Sequence, residues 1–345
     1  FDMQKWLVIQ TAFIGDVVLA TALVESLHEK YPQAKIDIIV RQGNELLFSE
    51  HPFLNEIIIW NKKRFKYIHW LKIALKIRTK KYDVLINVQR FAATGLWTVF
   101  SKARTTIGFD NNPFSFFFTH IVKHEVTAKG IHEIQRNHLL TQCLGDLKYC
   151  LPKLYPTTKA FEQVKKYQEE KYITIAPASV WFTKQFPVVA WVKFIEALHF
   201  EGAIYILGAP QDKNIGDSII AALQKTKEAS GIAINKISNL SGQIDFLAAA
   251  ALQQKAILNY VNDSAPLHFC SAVNAPVVAV YCSTLPSFGF GPLSTHSFIV
   301  ETKEKLSCRP CGLHGKKQCP LGHFQCAHSI ENDQLLAPLL QMSQH

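Results

Sequence analysis

The chain of 345 residues lacks several features that would place it in a class at once. No apolar run approaches the roughly 18–20 residues of a membrane-crossing helix. The longest, around Phe246–Leu252 and Ala275–Cys282, are the size of core segments, so no segment is expected to span a bilayer. There is no G-x-G-x-x-G: the loop after the first strand-like run carries Gly15 alone, which withdraws support from a bound nicotinamide or flavin dinucleotide. Eight cysteines are too few for a disulfide scaffold at this length, and a reducing compartment is the simpler inference. Repeats of solenoid period and low-complexity tracts are missing too. Charged residues make up only 19% against 48% apolar, the reverse of a disordered chain. Near the start, Lys5, Trp6–Ile14 and Ala20-Thr21-Ala22 imitate a secretory leader. Gly15-Asp16 breaks its apolar region, and a leader is not expected. Phe1-Asp2 reads as a remnant ahead of a natural start at Met3.

What is present is a folded, basic chain, with 37 Lys and Arg against 27 Asp and Glu for a formal charge of +10. A chain this long usually divides its burial between two cores. Strand-like runs at Trp6–Gln10, Ile36–Val40, Glu56–Trp60 and Val84–Val88 alternate with helix-period segments. The same rhythm resumes after Pro152 and Pro156 at Ile173–Ala176, Ala203–Leu207, Ala256–Asn259 and Val277–Tyr281, with helices such as Val188–Phe200 between. Repeated β-then-α order implies parallel strands joined by right-handed crossovers. The class is therefore α/β, with two doubly wound Rossmann-like sheets. Leu151–Thr158 is the linker candidate, giving domains 1–155 and 156–328 and a closing helix within 329–345. In such sheets ligands bind where the strands end, so the loops leaving each strand are the informative ones, and a site between the domains is expected.

Asp16 follows strand one at a helix start. A carboxylate there satisfies the helix dipole, or it serves as a general base. Asn262-Asp263-Ser264-Ala265-Pro266-Leu267-His268 opens another helix, with Pro266 suited to its first turn. Amides there are a seat for a diphosphate, to which His268 could add a donor; the plain alternative is an ordinary cap beside a core histidine. Ser179 and Lys184 lie in the loop after the first strand of the second domain, where the lysine is a point charge fit for a leaving diphosphate or is simply solvated. Asp212 stands where a carboxylate can accept ribose hydroxyls.

Between Lys62 and Lys81 lie nine Lys or Arg, among them Lys62, Lys63, Arg64, Lys72 and Lys76. His69, Lys72, Lys76 and Lys80 share a helical face at steps of three and four, and Ile68, Leu71, Ile73, Leu75 and Ile77 fill the rest. This suits an anionic membrane surface or a packed crossover helix with a solvated face. Nucleic acid is not expected, because no binding motif accompanies the charge. Near the end, Cys308-x2-Cys311-x7-Cys319-x6-Cys326, with His314, His323 and His328, could hold a structural zinc. The second pair lacks the short spacing of zinc ribbons, and packed reduced thiols are the alternative.

In order along the chain, Ile14-Gly15-Asp16-Val17, Ile107-Gly108-Phe109, His132-Glu133 with Arg136-Asn137, Lys184 with Phe186-Pro187, Asn262-Asp263-Ser264 through His268, Pro276-Val277-Val278-Ala279 and the closing Cys-x2-Cys, Cys-Pro-Leu-Gly-His-Phe and Cys resemble glycosyltransferase family 9. These are the ADP-heptose:lipopolysaccharide heptosyltransferases, and the terminal cysteines look most like the heptosyltransferase II branch. The resemblance implies a GT-B fold facing a cleft, with the closing helix packing back toward the first domain. It implies an inverting transfer of heptose from ADP-L-glycero-D-manno-heptose to the lipopolysaccharide inner core, with no metal or other cofactor, at the cytoplasmic face of the inner membrane. Asp16 would be the base. Lys184, the Asp263–Leu267 amides and His268 would receive ADP, and Asp212 would hold the nucleoside. Lys62, Lys63, Arg64, Lys72 and Lys76 would face the lipid A-core acceptor and anionic membrane. Ala265 replaces a usual glycine, and Cys282-Ser283-Thr284 replaces glycine-rich sequence. Another nucleotide-sugar donor, or a non-catalytic saccharide-binding protein on the same scaffold, is the alternative.

Overall fold

Strands buried on both faces read as unbroken apolar runs, and Lys5–Ile9 is of this kind, with four of its five residues buried. In the computed structural model, which describes residues 4–62, 66–126, 130–230 and 236–342, contacts divide the chain into Phe1–Tyr155 and Pro156–His345.

The first unit runs β1 (Lys5–Ile9), α1 (Ile14–Lys30), β2 (Lys35–Arg41), β3 (Leu54–Trp60), α2 (Lys66–Lys80), β4 (Val84–Asn87), α3 (Ala92–Ser101), β5 (Thr105–Phe109), β6 (His120–Val122) and α4 (Glu133–Leu139). Its six parallel strands are ordered β3-β2-β1-β4-β5-β6. Trp97 is fully buried, edge-on to Trp60 and stacked with Trp70, which fastens α2 and α3 to the sheet. Behind α1 lies α4, where the buried Arg136 guanidinium meets Glu133 at 2.7 Å.

The second unit runs α5 (Thr158–Val164), β7 (Tyr172–Ala176), α6 (Val188–Glu196), β8 (Ala203–Ile206), α7 (Lys213–Ser230), β9 (Ile237–Asn239), α8 (Phe246–Lys255), β10 (Asn259–Asn262), α9 (Ala265–Ala272), β11 (Val277–Tyr281), β12 (Ser297–Glu301), α10 (Gln325–His328) and α11 (Asn332–Met342). Its order, β12-β11-β10-β7-β8-β9, is the same winding. In each unit the order reverses beside the first strand, so two loops diverge at a switch point, β1 with β4 and β7 with β10.

Two expected element bounds differ from the observed ones. The strand read at Ala256–Asn259 is Asn259–Asn262. Asn259 hides this because a polar side chain in a central strand is satisfied internally: Thr174 donates to it at 2.6 Å, and it donates to the Gln253 and Pro276 carbonyls. The helix from Val188 stops at Glu196 rather than Phe200. The closing helix packs on α6 and β12 of its own unit. There Leu335 and Leu339 are buried, each stabilising by about 1.5–3 kcal/mol. No helix among the described residues is long and apolar enough to cross a membrane.

Candidate active site

At the first switch point the β1–α1 loop is held by amides. Gln89, just past β4, donates to the Gln10 side-chain carbonyl, and the same oxygen accepts from the Ala12 amide at 3.2 Å. Asn44 donates to the Ala12 carbonyl at 3.2 Å. Asp16 is half-buried in the first turn of α1, whose N-cap Phe13 supplies no side-chain cap. Arg41 stands near it. Burial draws the Arg41 guanidinium below its ordinary value, and the negative charge of Asp16 works against that shift; the guanidinium lies 4.8 Å from the Phe13 ring centre. Lys62 donates to the Thr11 carbonyl at 2.9 Å and sits over Trp60. Burial, with Arg41 and Lys66 nearby, brings its pKa down to about 8.

Lys62 is therefore turned onto the β1 loop. Lys63 and Arg64 lie outside the described residues. The basic stripe on α2 is partly paired. Lys76 pairs with Glu56, and Lys80 pairs with Glu56 and, at 2.5 Å, with Asp37, because β2 and β3 place acids beneath that face. Ile73, Ala74 and Ile77 are buried, while Tyr67, Ile68, Leu71 and Leu75 are at least half exposed. Lys72 remains at the edge of that apolar arc and, with His69 and Lys76, lines a shallow groove against Ile57, Ile58, Ile59 and Ile73.

At the second switch point the structure brings together residues that the sequence offered separately. Lys184 Nζ meets Asp263 Oδ2 at 2.7 Å, both largely buried, and the Thr284 hydroxyl donates to the same carboxylate oxygen at 2.6 Å. Asn262 closes the mouth of the Lys184 loop: its amide donates to the Pro177 carbonyl at 2.6 Å and its carbonyl accepts from the Phe186 amide at 3.1 Å. Ser179 is half-buried on that loop and accepts from Gln185 through its carbonyl.

The amide seat is narrower than expected. The Asp263 amide donates to Val280, that of Leu267 donates to Ser264, and Pro266 has none. Among the described residues, no partner is seen for the Ser264 and Ala265 amides. Ser264 is the N-cap but makes no side-chain cap, its hydroxyl turning back to Asn262. His268 is only 5% exposed. Asp212 does cap, accepting from the Ala209 amide at 2.9 Å, which leaves one carboxylate oxygen for a ligand.

Of the cysteines, Cys326 is buried and its thiol is pushed up to about 11 by burial and by Cys311, Cys308 and Cys319 nearby. Cys319 is drawn down instead by backbone amides from Leu321 to Phe324. Among the described residues, no group of three or more His, Cys, Asp or Glu side chains is placed to hold a metal ion. Arg41, Gln89, Thr284 and Lys62 in its observed place are missing from the motif reading. Their signal was position: Arg41 ends β2, while Lys62, Gln89 and Thr284 follow β3, β4 and β11.

Lipopolysaccharide heptosyltransferase 3 of Escherichia coli is 26% identical over 287 residues, covering 79% of this chain and 82% of that protein. Lipopolysaccharide heptosyltransferase 2 of E. coli K12 is 24% identical over 301 residues, covering 83% and 84%. The solved structure of E. coli ADP-heptose LPS heptosyltransferase II superimposes with a TM-score of 0.77 at 22% identity, covering 99% of this chain and 100% of that one. The fold is thus that of the GT-B heptosyltransferases. The pattern of glycosyltransferase family 9 (heptosyltransferase) matches residues 70–324, and with most of the chain inside that match, the protein belongs to glycosyltransferase family 9.

Proposed function

We propose that the protein is an inverting heptosyltransferase of the lipopolysaccharide inner core, with residues 1–155 receiving the acceptor and 156–328 the ADP-heptose donor. The observation that carries this reading is the pre-set Lys184–Asp263–Thr284 group beside the Ser264 and Ala265 amides. A cation and helix-start amides at a switch point are what a diphosphate needs. The names of the relatives support heptose and ADP.

In this mechanism the Asp16 carboxylate takes the proton of an acceptor hydroxyl as that oxygen bonds to the anomeric carbon. The bond from that carbon to the diphosphate breaks on the opposite face, and its electron pair leaves with ADP. Lys184 and the two amides meet the growing charge on the β-phosphate, so positive charge for departure comes from the protein. Asp212 takes the ribose hydroxyls with its remaining oxygen. Arg41, near the base, and Lys62, crowded by Arg41, receive anionic groups of the acceptor. The apolar arc of α2, flanked by Lys72 and by Lys66 at its start, is the surface for an anionic membrane at the cytoplasmic face.

Incubation with ADP-heptose and a heptose-deficient lipopolysaccharide tests the reading. Heptose transfer is expected, and ADP should raise the melting temperature more than UDP or GDP. Absence of turnover above background would remove the enzyme assignment; a larger rise with UDP or GDP would remove the donor.

A further inference from the structure

The cysteine-bearing stretch after β12 takes no part in the sheet or in the chemistry above, yet it meets the Lys184 loop closely. The Thr183 amide donates to the Lys316 carbonyl at 3.1 Å, and the Lys316 amide donates to Thr183 Oγ1 at 2.8 Å. The Ser283 hydroxyl donates to the same Thr183 oxygen at 2.9 Å. Gly315, with φ +76°, comes so near that a Cβ built on it would stand 3.0 Å from Lys184 Cγ and 3.3 Å from Cδ. The aliphatic stem of the lysine therefore lies against glycine backbone, where no larger residue fits without displacing it.

The head of the lysine is fixed from the same source. Arg309, whose side chain is 9% exposed, pairs with Glu301 at 2.6 Å. It also donates to the carbonyls of Cys282 and Thr284 at 2.8 Å and of Tyr281 at 3.3 Å. The Cys311 amide donates to the Ser283 carbonyl at 2.9 Å. These bonds set the loop whose Thr284 hydroxyl holds Asp263, and Asp263 holds Lys184.

We infer that residues 309–316 form a brace that fixes Lys184 for the donor's diphosphate, with Thr183, Arg309 and Gly315 as positioning residues acting through that lysine. The inference rests on the reading of Lys184 as a diphosphate ligand. Its physical content is pre-organisation: a free lysine loses about 2 kcal/mol of rotamer freedom when immobilised, and a side chain already held does not incur that loss on binding.

The test is titration of the full-length protein with ADP by calorimetry. Thr183→Val, which removes the shared oxygen, should weaken ADP about tenfold, near the loss of one good polar contact. Thr183→Ser, which keeps it, should bind within about twofold of the parent protein. Gly315→Ala, which pushes on the stem, should weaken ADP to a similar degree and decides the matter if the valine variant does not fold. In a Lys184→Gln background either change should alter affinity by less than about twofold. If Lys184→Gln weakens ADP while Thr183→Val and Gly315→Ala do not, the brace is wrong and the role of the lysine survives. If the losses are the same size with and without Lys184, the segment supports the fold in general, and the brace is again wrong. If Lys184→Gln binds ADP as the parent does, the reading of the lysine itself fails, and the brace with it.

Discussion

Of the 23 large apolar side chains that are exposed among the described residues, 16 belong to the first unit and 7 to the second, although the second is longer. Formal charge divides the same way. Residues 1–155 carry 21 Lys and Arg against 13 Asp and Glu, a net +8, and 156–345 carry 16 against 14, a net +2. One strand order thus presents two different surfaces. The first unit shows oil and positive charge, which suits an amphiphilic, anionic partner; the second closes its polar groups on one another, which suits a small ligand received by pre-set contacts. The two carboxylates at the switch points differ accordingly. Asp263 is buried and committed to Lys184 and Thr284, whereas Asp16 is half-buried near the Arg41 guanidinium.

The largest break in this contrast should come from Asp16→Ala. Heptose transfer is expected to fall by about 100-fold or more while ADP affinity stays near that of the parent, because a general base acts mainly in the transition state. Steady-state transfer assays paired with ADP calorimetry check it, and a collapse of ADP binding would show that the role was misassigned. Asp263→Asn should do the opposite, weakening ADP about tenfold. It should also lower stability by about 3 kcal/mol, since a largely buried lysine loses its partner, as read by denaturant unfolding.

How much of this was legible in the sequence follows from the same residues. Asp16, Lys184 and Asp263 could be singled out because each stands where a strand gives way to a loop, and the alternation of strand and helix marks those places. That Lys184 and Asp263 touch was not legible, because the contact depends on β7 and β10 being neighbours, which no local pattern states. Edge strands β6 and β9, of three residues each, were too short to show a period. The ion-pair partners of α2 were not legible for a related reason. Lysines at steps of three and four look like a solvated stripe until Glu56 and Asp37, from other strands, turn out to lie beneath them.

Leu71→Asp with Leu75→Asp should weaken association with vesicles containing anionic lipid by about tenfold, as burial of each leucine is lost. Lys72→Glu should weaken it less, by about 1 kcal/mol or a few-fold, in a salt-dependent way. Lys76→Glu should act mainly on stability, through Glu56. Sedimentation with vesicles distinguishes the three, and equal effects would return the membrane face to the lysines.

The smallest expected effect is a pH limb. Lys62 has its pKa lowered to about 8, so its charge is present below that value and lost as pH rises through it. Affinity for an anionic acceptor, read as KM, should worsen a few-fold between about pH 7 and 9, and Lys62→Met should flatten that dependence. The same shift has the opposite sign for folding. From about 8 to 10.5 the unfolded chain holds the proton more tightly, so stability contributed by this group rises with pH.

The strand orders carry a consequence for how the chain is made. In each unit the strand synthesised first ends at the centre of the sheet, and one of its two neighbours arrives late: Trp6 aligns with Val84, and Ile175 with Tyr260. As the polypeptide emerges, β1 and β7 must each wait, apolar on both faces and unpaired along one side, for a strand about half a unit away. Such distant pairing slows folding and leaves adhesive edges open during translation. A fragment ending before Val84 leaves β1 with an open flank, and one ending before Asn259 does the same to β7.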